Sequence, residues 1–314
     1  MLSAGIHEHP NELGVDGVAI LAAYGMGLQG WDASFIFQNQ DDGSFSHRIG
    51  RDQWDATAPH VLGLFPAVAR QVLRSDVQQA AAVAVRNVHL PSLFAGKLGF
   101  DDRVEQGHDV KELDSRQIPA GALAVVRNLI AFTPEPVETR PFELAAFQRD
   151  GGLLASTRQL HWREAGDGRG GRFVVNTPGT KAVVGFAQGE VCRLGEVTIE
   201  PQSRFAAVYV TARSPRGTIA DDTDLLVVAL ARARNTSMTF SPDGRTLLAP
   251  GDSPVRMEPV AARIAVSRPG TPRLIPLDHN GRPTEREISA DGGTFVIDGA
   301  RDRTPYYLLR YRTP

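Results

Sequence analysis

The sequence predicts a mixed fold, a partial α/β segment followed by a mostly antiparallel β-sandwich. Three observations predict it. Residues 11–37 read as a helix running into a short apolar, aromatic stretch, the order found in parallel α/β units. A second helical stripe follows at residues 58–73. From residue 141 the chain is nearly all short strand-like runs separated by Gly, Pro, Asn and Asp, at the spacing of a sandwich.

The first helix is expected over Asn11 to Leu28. Val15, Val18, Ala19, Ala22, Ala23 and Met26 fall on one helical face. Gly25 and Gly27 thin its end, and Gly30 supplies the stop. Ala33 to Phe37 then reads as a strand buried on both sides. The long polar loop Gln38 to Asp55 leaves the C-terminal end of that strand, where α/β folds build their sites. Asp55 and Thr57 form an N-cap region for the next helix. There Ala58, Val61, Leu62, Phe65, Val68, Ala69, Val72 and Leu73 keep helical spacing, and Pro66 should kink or divide the element.

The pattern changes after Val77. Ala80 to Val88 is small and β-branched, Pro91 to Gln117 is polar and irregular, and Gly121 to Phe132 is a strand candidate. Three prolines between Pro134 and Pro141 mark a linker. The expected organisation is 1–76 as the α/β segment, 77–140 as a connecting region, and 141–314 as one or two sandwiches. Strands are expected at 156–162, 172–176, 181–187, 195–200, 205–212, 224–233, 261–267, 273–277, 285–289, 294–297 and 306–311. Asp243-Gly244, Asn280-Gly281 and Asp291-Gly292 are hairpin dipeptides. The run Gly166 to Gly171 lacks the Lys-Ser/Thr of a phosphate loop and precedes a strand, so it reads as a hairpin loop.

The 314 residues carry 42% apolar and 22% charged side chains, ordinary for a soluble protein. A formal charge of −2 argues against nucleic acid or an anionic membrane as partner. Cys192 is the only cysteine, so no intrachain disulfide forms, and it reads as a small packing residue. The first residues lack the basic and apolar regions of a signal peptide, and no apolar run reaches membrane-helix length. The chain as written is therefore expected to be cytoplasmic, whereas a longer parent would be routed by its own N-terminus.

The run HPNE, the alanine-rich helix, LQGWD and the aromatic stretch together resemble the end of a clan A (β/α)8-barrel glycoside hydrolase. VNTPGTKAVVGF (Val175 to Phe186) and TPYYLLRY (Thr304 to Tyr311) resemble the β-sandwich domains that follow such barrels. The resemblance implies a retaining-type ancestry, a carbohydrate partner and no cofactor. It places the catalytic nucleophile on the seventh strand, shortly before the PN pair. Here that position falls near Ala4 or Gly5, neither of which is a nucleophile. A complete barrel needs about 250 residues, so this chain is expected to correspond to the C-terminal part of such an enzyme.

Glycoside hydrolysis uses two carboxyl groups facing each other across the bond. The candidate catalytic residue is Glu8, with His7, Asn11, Gln38, Asn39 and Trp54 as candidate sugar contacts. Glu12 reads instead as a first-turn carboxylate favoured by the helix dipole. His7 and His9 are not part of an HExxH motif, and no metal site is expected. Trp31 and Asp32 precede the expected strand and are assigned to packing. The alternative reading is a non-catalytic carbohydrate-binding or interaction module, or an inactive fragment. A pair of barrel strands without its neighbours leaves open edges, so self-association is expected.

Overall fold

The stripe that begins at Val15 does wind as a helix, but not as one uniform helix. In the computed structural model, which describes residues 14–35, 48–49, 58–96, 103–107, 110–114, 117–164, 170–242 and 246–311, α1 (Val15–Ile20) passes without a break into a π-helical stretch, Leu21–Leu28. Gln29 N–H donates to Tyr24 O at 2.8 Å, an i→i+5 bond. Ala22, Ala23 and Gly25 keep the wider turn free of bulk. The second helical stripe divides as Pro66 requires, into α2 (Pro59–Leu62) and α3 (Phe65–Leu73). Pro66 lies in the first turn of α3, where its missing N–H leaves no helical bond unmade.

The expected buried strand at 33–37 is not found where the chain is described. Residues 33–35 are irregular and exposed, and Phe35 is 81% exposed. Residues 36 and 37 lie outside the described residues. An apolar run is a strand only when neighbours pair with it, and no strand of the described residues does so here.

The connecting region holds β1 (Ala82–His89), α4 (Leu90–Phe94), the hairpin of β2 (Arg103–Gly107) with β3 (Val110–Asp114), and β4 (Arg127–Thr133). The expected strand at 121–132 therefore starts late. Ala120–Ala124 forms a 3-10 turn instead, with Ala122 and Ala124 buried. β1 and β4 pair in parallel as an isolated ribbon.

Beyond them follow β5 (Gln148–Arg149), β6 (Gly152–Leu154), β7 (Leu160–Arg163), β8 (Arg172–Asn176) and β9 (Thr180–Gly185). β10 (Cys192–Leu194), β11 (Val197–Pro201), β12 (Ala206–Ala212) and β13 (Asp224–Leu230) continue the series. Next are β14 (Ala233–Thr236), β15 (Thr239–Phe240), β16 (Leu247–Ala249), β17 (Asp252–Met257), β18 (Ala261–Val266) and β19 (Pro272–Pro276). The chain closes with β20 (Thr294–Asp298), α5 (Gly299–Asp302) and β21 (Tyr306–Tyr311). Nine strands form one antiparallel sheet in the order β19-β21-β13-β12-β9-β8-β7-β6-β5, and four form another, β10-β11-β18-β20. β14 pairs with β17 and β15 with β16 as small ribbons.

Burial patterns explain the layering. β11, β18 and β20 alternate, with Ile199, Ile264 and Phe295 buried in register and intervening residues more exposed, so this sheet is covered on one face. β12 is buried at every position, and β13 at every position after Asp224. Such runs need cover on both faces. β11 packs against one face of β9 and β12, and α1 and α3 pack on the sheet from the other side. The result is three layers, helices on a nine-stranded sheet on a four-stranded sheet.

Two features lock the helical layer down. Tyr24 meets Trp162 and Phe173 edge-on, at centroid distances of 5.6 and 5.4 Å, and those two rings stack at 5.7 Å. At the end of α3, the buried Arg74 and Asp76 pair at 2.7 Å. Arg74 also donates to Ala212 O (2.6 Å), Gly179 O (3.0 Å) and Thr211 Oγ1 (2.7 Å). Thr180 Oγ1 donates to Asp76 Oδ2 at 2.7 Å. This polar node fastens the helix to the turn before β9.

The expected strand at 285–289 is reduced to a single bridge, Leu274 with Ile288, because the polar, exposed residues around it give it no face to bury. β7 and β8 are antiparallel neighbours, and of the glycine-rich run between them residues 166–169 lie outside the described residues. Asp291 and Thr294 exchange both backbone bonds at 2.9 Å across Gly292 and Gly293, a two-residue loop with positive φ at both positions. Gly281 also has positive φ, in the turn closed by Asp278, while Asp243-Gly244 lies outside the described residues. Cys192 is buried, and burial pushes its thiol pKa up.

Candidate functional site

The C-terminal end of the first helix is built with unusual care. Gln29 has a buried side chain whose amide nitrogen donates to Val126 O (2.6 Å) and Leu123 O (2.9 Å), while its oxygen accepts from Asn128 N–H (2.9 Å). One amide thus ties the helix end to the start of β4. Ala80 N–H donates to Leu28 O (2.9 Å) and brings in the segment entering β1. Gly30 then turns the chain out of the helix with φ +67°, the left-handed stop expected from the sequence.

Trp31 follows immediately. Its N–H donates to Gly25 O at 3.0 Å, and its benzo ring rests on Gly25. A methyl group added at Gly25 would lie 2.6 Å from Cε3 and 2.7 Å from Cζ3, so only glycine admits the ring there. The expected packing role is present, yet the residue remains 48% exposed. Asp32 beside it is exposed. The Gln79 amide lies over Gly30 so closely that a Cβ there would collide with it. With its oxygen turned to Arg127, that amide accepts from Nη1 (3.0 Å) and Nε (3.2 Å). The Gln79 amide and the Arg127 guanidinium thus pair at the start of the β1–β4 ribbon, beside Gly30.

The ribbon itself is apolar. In a parallel ladder, paired residues share a face, so Ile130 and Phe132 lie with Arg86 and Val88 on one face, and Leu129 with Val85 on the other. Ile130 and Phe132 are 61% and 62% exposed, and Val83 and Phe94 add to the surface. The segment after β4 folds back along β1. Asn87 N–H donates to Thr139 Oγ1, its amide donates to Glu138 O (both 3.0 Å), and His89 Nε2 donates to Pro134 O (3.1 Å). No strand of the described residues pairs with the second edge of β4. Parallel strands are ordinarily covered on both faces.

Glu8, His7, Asn11, Gln38, Asn39 and Trp54, the residues expected to act on or bind a substrate, all lie outside the described residues, as does His9. Among the described residues, no group of three His, Cys, Asp or Glu side chains is placed to hold a metal, and no helix is long and apolar enough to cross a membrane. Gln29, Gln79 and Arg127 were not legible as site residues, because isolated Gln and Arg carry no periodic or motif signal. Only the glycines around Trp31 marked the place. Compared with protein-family models, curated proteins and solved structures, the chain has no match.

Proposed function

We propose that this chain is a glycoside hydrolase-derived protein whose function is carbohydrate recognition, with α1–α3 an adapted remnant of a clan A barrel and residues 141–314 the sandwich that follows it. One observation carries this reading. The helix of the first resembling stretch packs on a strand of the second, α1 against β9 within VNTPGTKAVVGF. Arg74, closing the second helical stripe, binds Gly179 O and Thr180 Oγ1 within VNTPGTKAVVGF. The first stretch also contributes Tyr24, which packs on the sheet that Phe173 and Trp162 line. A barrel's last helices docked on a following sandwich would make the same contacts.

Hydrolysis is the second reading. It is favoured by Glu8 beside His7 and Asn11, with Gln38, Asn39 and Trp54 in the loop after the expected strand. The edge of β4 left open among the described residues and the exposed Ile130 and Phe132 support self-association as part of this reading. The test combines binding and turnover. Affinity electrophoresis on a panel of polysaccharides is run beside reducing-sugar release by the wild type and Glu8→Gln. Retarded migration without release is the expected result. Release that vanishes in Glu8→Gln would replace recognition by hydrolysis around Glu8. Neither retardation nor release on any polysaccharide would refute both.

A further inference from the structure

We propose that the outer face of the β14–β17 ribbon is an oxyanion site, where Arg234 and Arg256 together bind a uronate carboxylate or sulfate ester of an acidic saccharide. The choice of a saccharide rests on the carbohydrate reading above. The choice of an oxyanion rests on three observations.

First, the two arginines are directly opposed. Arg234 and Arg256 are register partners in the antiparallel ladder, so they share one face, with Cβ atoms about 5 Å apart. Burial shows which face it is: Asn235 is buried and Val255 and Met257 half-buried on the other, while Arg256 is exposed and Arg234 half-exposed. Like charges placed directly opposite weaken a sheet, so folding alone gives no reason for the pair. Second, among the described residues neither arginine has a carboxylate partner. The adjacent pair along the ribbon, Arg232 with Glu258, is balanced at 2.8 Å. Elsewhere on the sheets Arg213, Arg263, Arg273 and Arg310 each meet a carboxylate. Asp252, across from Thr236, accepts the Ser253 N–H instead (2.8 Å). Third, both heads are held with donors left over. The Arg234 guanidinium lies over Phe240, 4.9 Å from the ring centre. Such a stack uses the flat face of the group and leaves the N–H groups at its edge available. Arg256 Nε donates to Thr236 Oγ1 (3.1 Å), and that hydroxyl donates to Pro254 O (2.8 Å). This uses one of the five donors of Arg256. Two charged forks side by side match a group with several equivalent oxygens and a negative charge, whereas a neutral hydroxyl leaves both charges unmet.

The test is calorimetric titration of the full chain with hexagalacturonate, a sulfated carrageenan hexasaccharide, cellohexaose and sodium sulfate, each as a separate probe. One acidic hexasaccharide is expected to bind more tightly than cellohexaose, with an affinity that falls as salt is added. Which of the two binds separates carboxylate from sulfate ester. Arg234→Ala and Arg256→Ala should each weaken that affinity at least about fivefold, the scale of one lost charge-assisted bond at an exposed site. Arg234→Lys keeps the charge without the fork and should fall between wild type and Arg234→Ala. Arg256→Glu sets opposite charges across the ladder, so it should abolish binding while the thermal midpoint holds or rises. Midpoints that fall by more than about 4 °C in both alanine variants, with affinity unchanged, would make the arginines structural and overturn the site. An acidic probe that binds wild type and all variants alike overturns the site and leaves carbohydrate recognition standing elsewhere on the chain. Cellohexaose bound as tightly as the acidic probes overturns it in the same way. Sulfate ion bound without either acidic hexasaccharide overturns the saccharide as ligand. A wild type that binds no probe while the polysaccharide panel is positive overturns the oxyanion site alone. Failure in both assays removes the carbohydrate reading and the site with it.

Discussion

Removing the Arg74 guanidinium should cost about 3–5 kcal/mol of stability, the range for breaking one side of a buried ion pair. The side chains of Arg74 and Asp76 are only 5% and 6% exposed, so neither charge is solvated in exchange. Arg74 Nε lies 3.0 Å from Asp76 Oδ1 and Nη2 lies 2.7 Å from Oδ2, a bidentate fork. The same guanidinium satisfies Ala212 O and Gly179 O. In Arg74→Ala the carboxylate keeps the Thr180 hydroxyl and Gly179 O keeps the Ala212 N–H, but Ala212 O loses a charged donor, worth about 1–3 kcal/mol when left buried and unmet. Relaxation of the α3 end recovers part of that sum, which brings the expected loss back to the stated range. Arg74→Lys keeps the charge and loses the fork, so it should fall between the two. Arg74→Met combined with Asp76→Leu removes both charges and should recover much of the loss. Urea unfolding followed by circular dichroism and by tryptophan fluorescence reads all four proteins. With a slope of about 2–3 kcal/mol/M, the midpoint of Arg74→Ala should drop by about 1–2.5 M. A drop worth less than about 1 kcal/mol would place the pair among surface ion pairs and refute the seam. A double variant no better than Arg74→Ala would refute the argument that the stranded carboxylate is the cause.

Three further outcomes are expected. Among the described residues no atom hydrogen-bonds the buried Tyr24 hydroxyl, and burial, then the neighbouring Tyr209, raises its pKa well above that of a free phenol. Tyr24→Phe should therefore be neutral or stabilising by up to about 1 kcal/mol in the same urea assay, whereas a loss above that would mean the hydroxyl has a partner. For Asp302, burial pushes the carboxyl pKa up, but the Arg301 side chain, the Asp298 N–H and the Tyr307 hydroxyl outweigh it and hold the pKa below the usual range. A depressed folded pKa contributes stability above about pH 4 that disappears as pH falls through and below that value, so Asp302→Asn should flatten the acid limb of the stability profile. An unchanged limb would reject the carboxylate hub. Finally, the wild type should self-associate at micromolar concentration in sedimentation velocity, and Phe132→Glu with Ile130→Glu should leave it monomeric. A monomeric wild type would sink the ribbon as an association edge.

How much of this was legible follows from what each element's neighbours are. β8, β18 and β21 match their expected ranges to within a residue, because short β-branched runs bounded by turn residues suffice when the partner strand is a sequence neighbour or the run has one covered face. The break before Pro66 and the stop at Gly30 were legible for local reasons, a missing N–H and a positive φ. The π-winding of Leu21–Leu28 carried no sequence signal, since 3.6 and wider periods share most positions over two turns. The seam residues Arg74, Asp76, Thr180 and Thr211 were not legible as a group, because the bonds from Arg74 and Asp76 to Thr180 and Thr211 join segments more than a hundred residues apart in the chain.

The middle strands of the large sheet are almost wholly apolar. Ala206–Ala212 and Leu225–Leu230 show no alternation, and a strand of a two-layer sandwich should alternate. Unbroken apolarity demands cover on both faces, and α1 and α3 are that second cover. The same reasoning applied to Val83–Val85 and Leu129–Phe132 gives a different outcome. Their sequence is equally unbroken apart from Arg86, their pairing is parallel, and yet Ile130 and Phe132 stand in water among the described residues. A two-stranded sheet of this kind is marginal alone. What holds it is the Gln29 amide at one end and the returning segment from Pro134 to Thr139 along β1. Ala84 and Val88 are buried while Val83, Ile130 and Phe132 stay exposed among the described residues, so the ribbon is positioned and only partly covered. A surface fixed in that way can accept a second copy without first reorganising, which is why the sedimentation experiment on Phe132 and Ile130 addresses the fold and the function together.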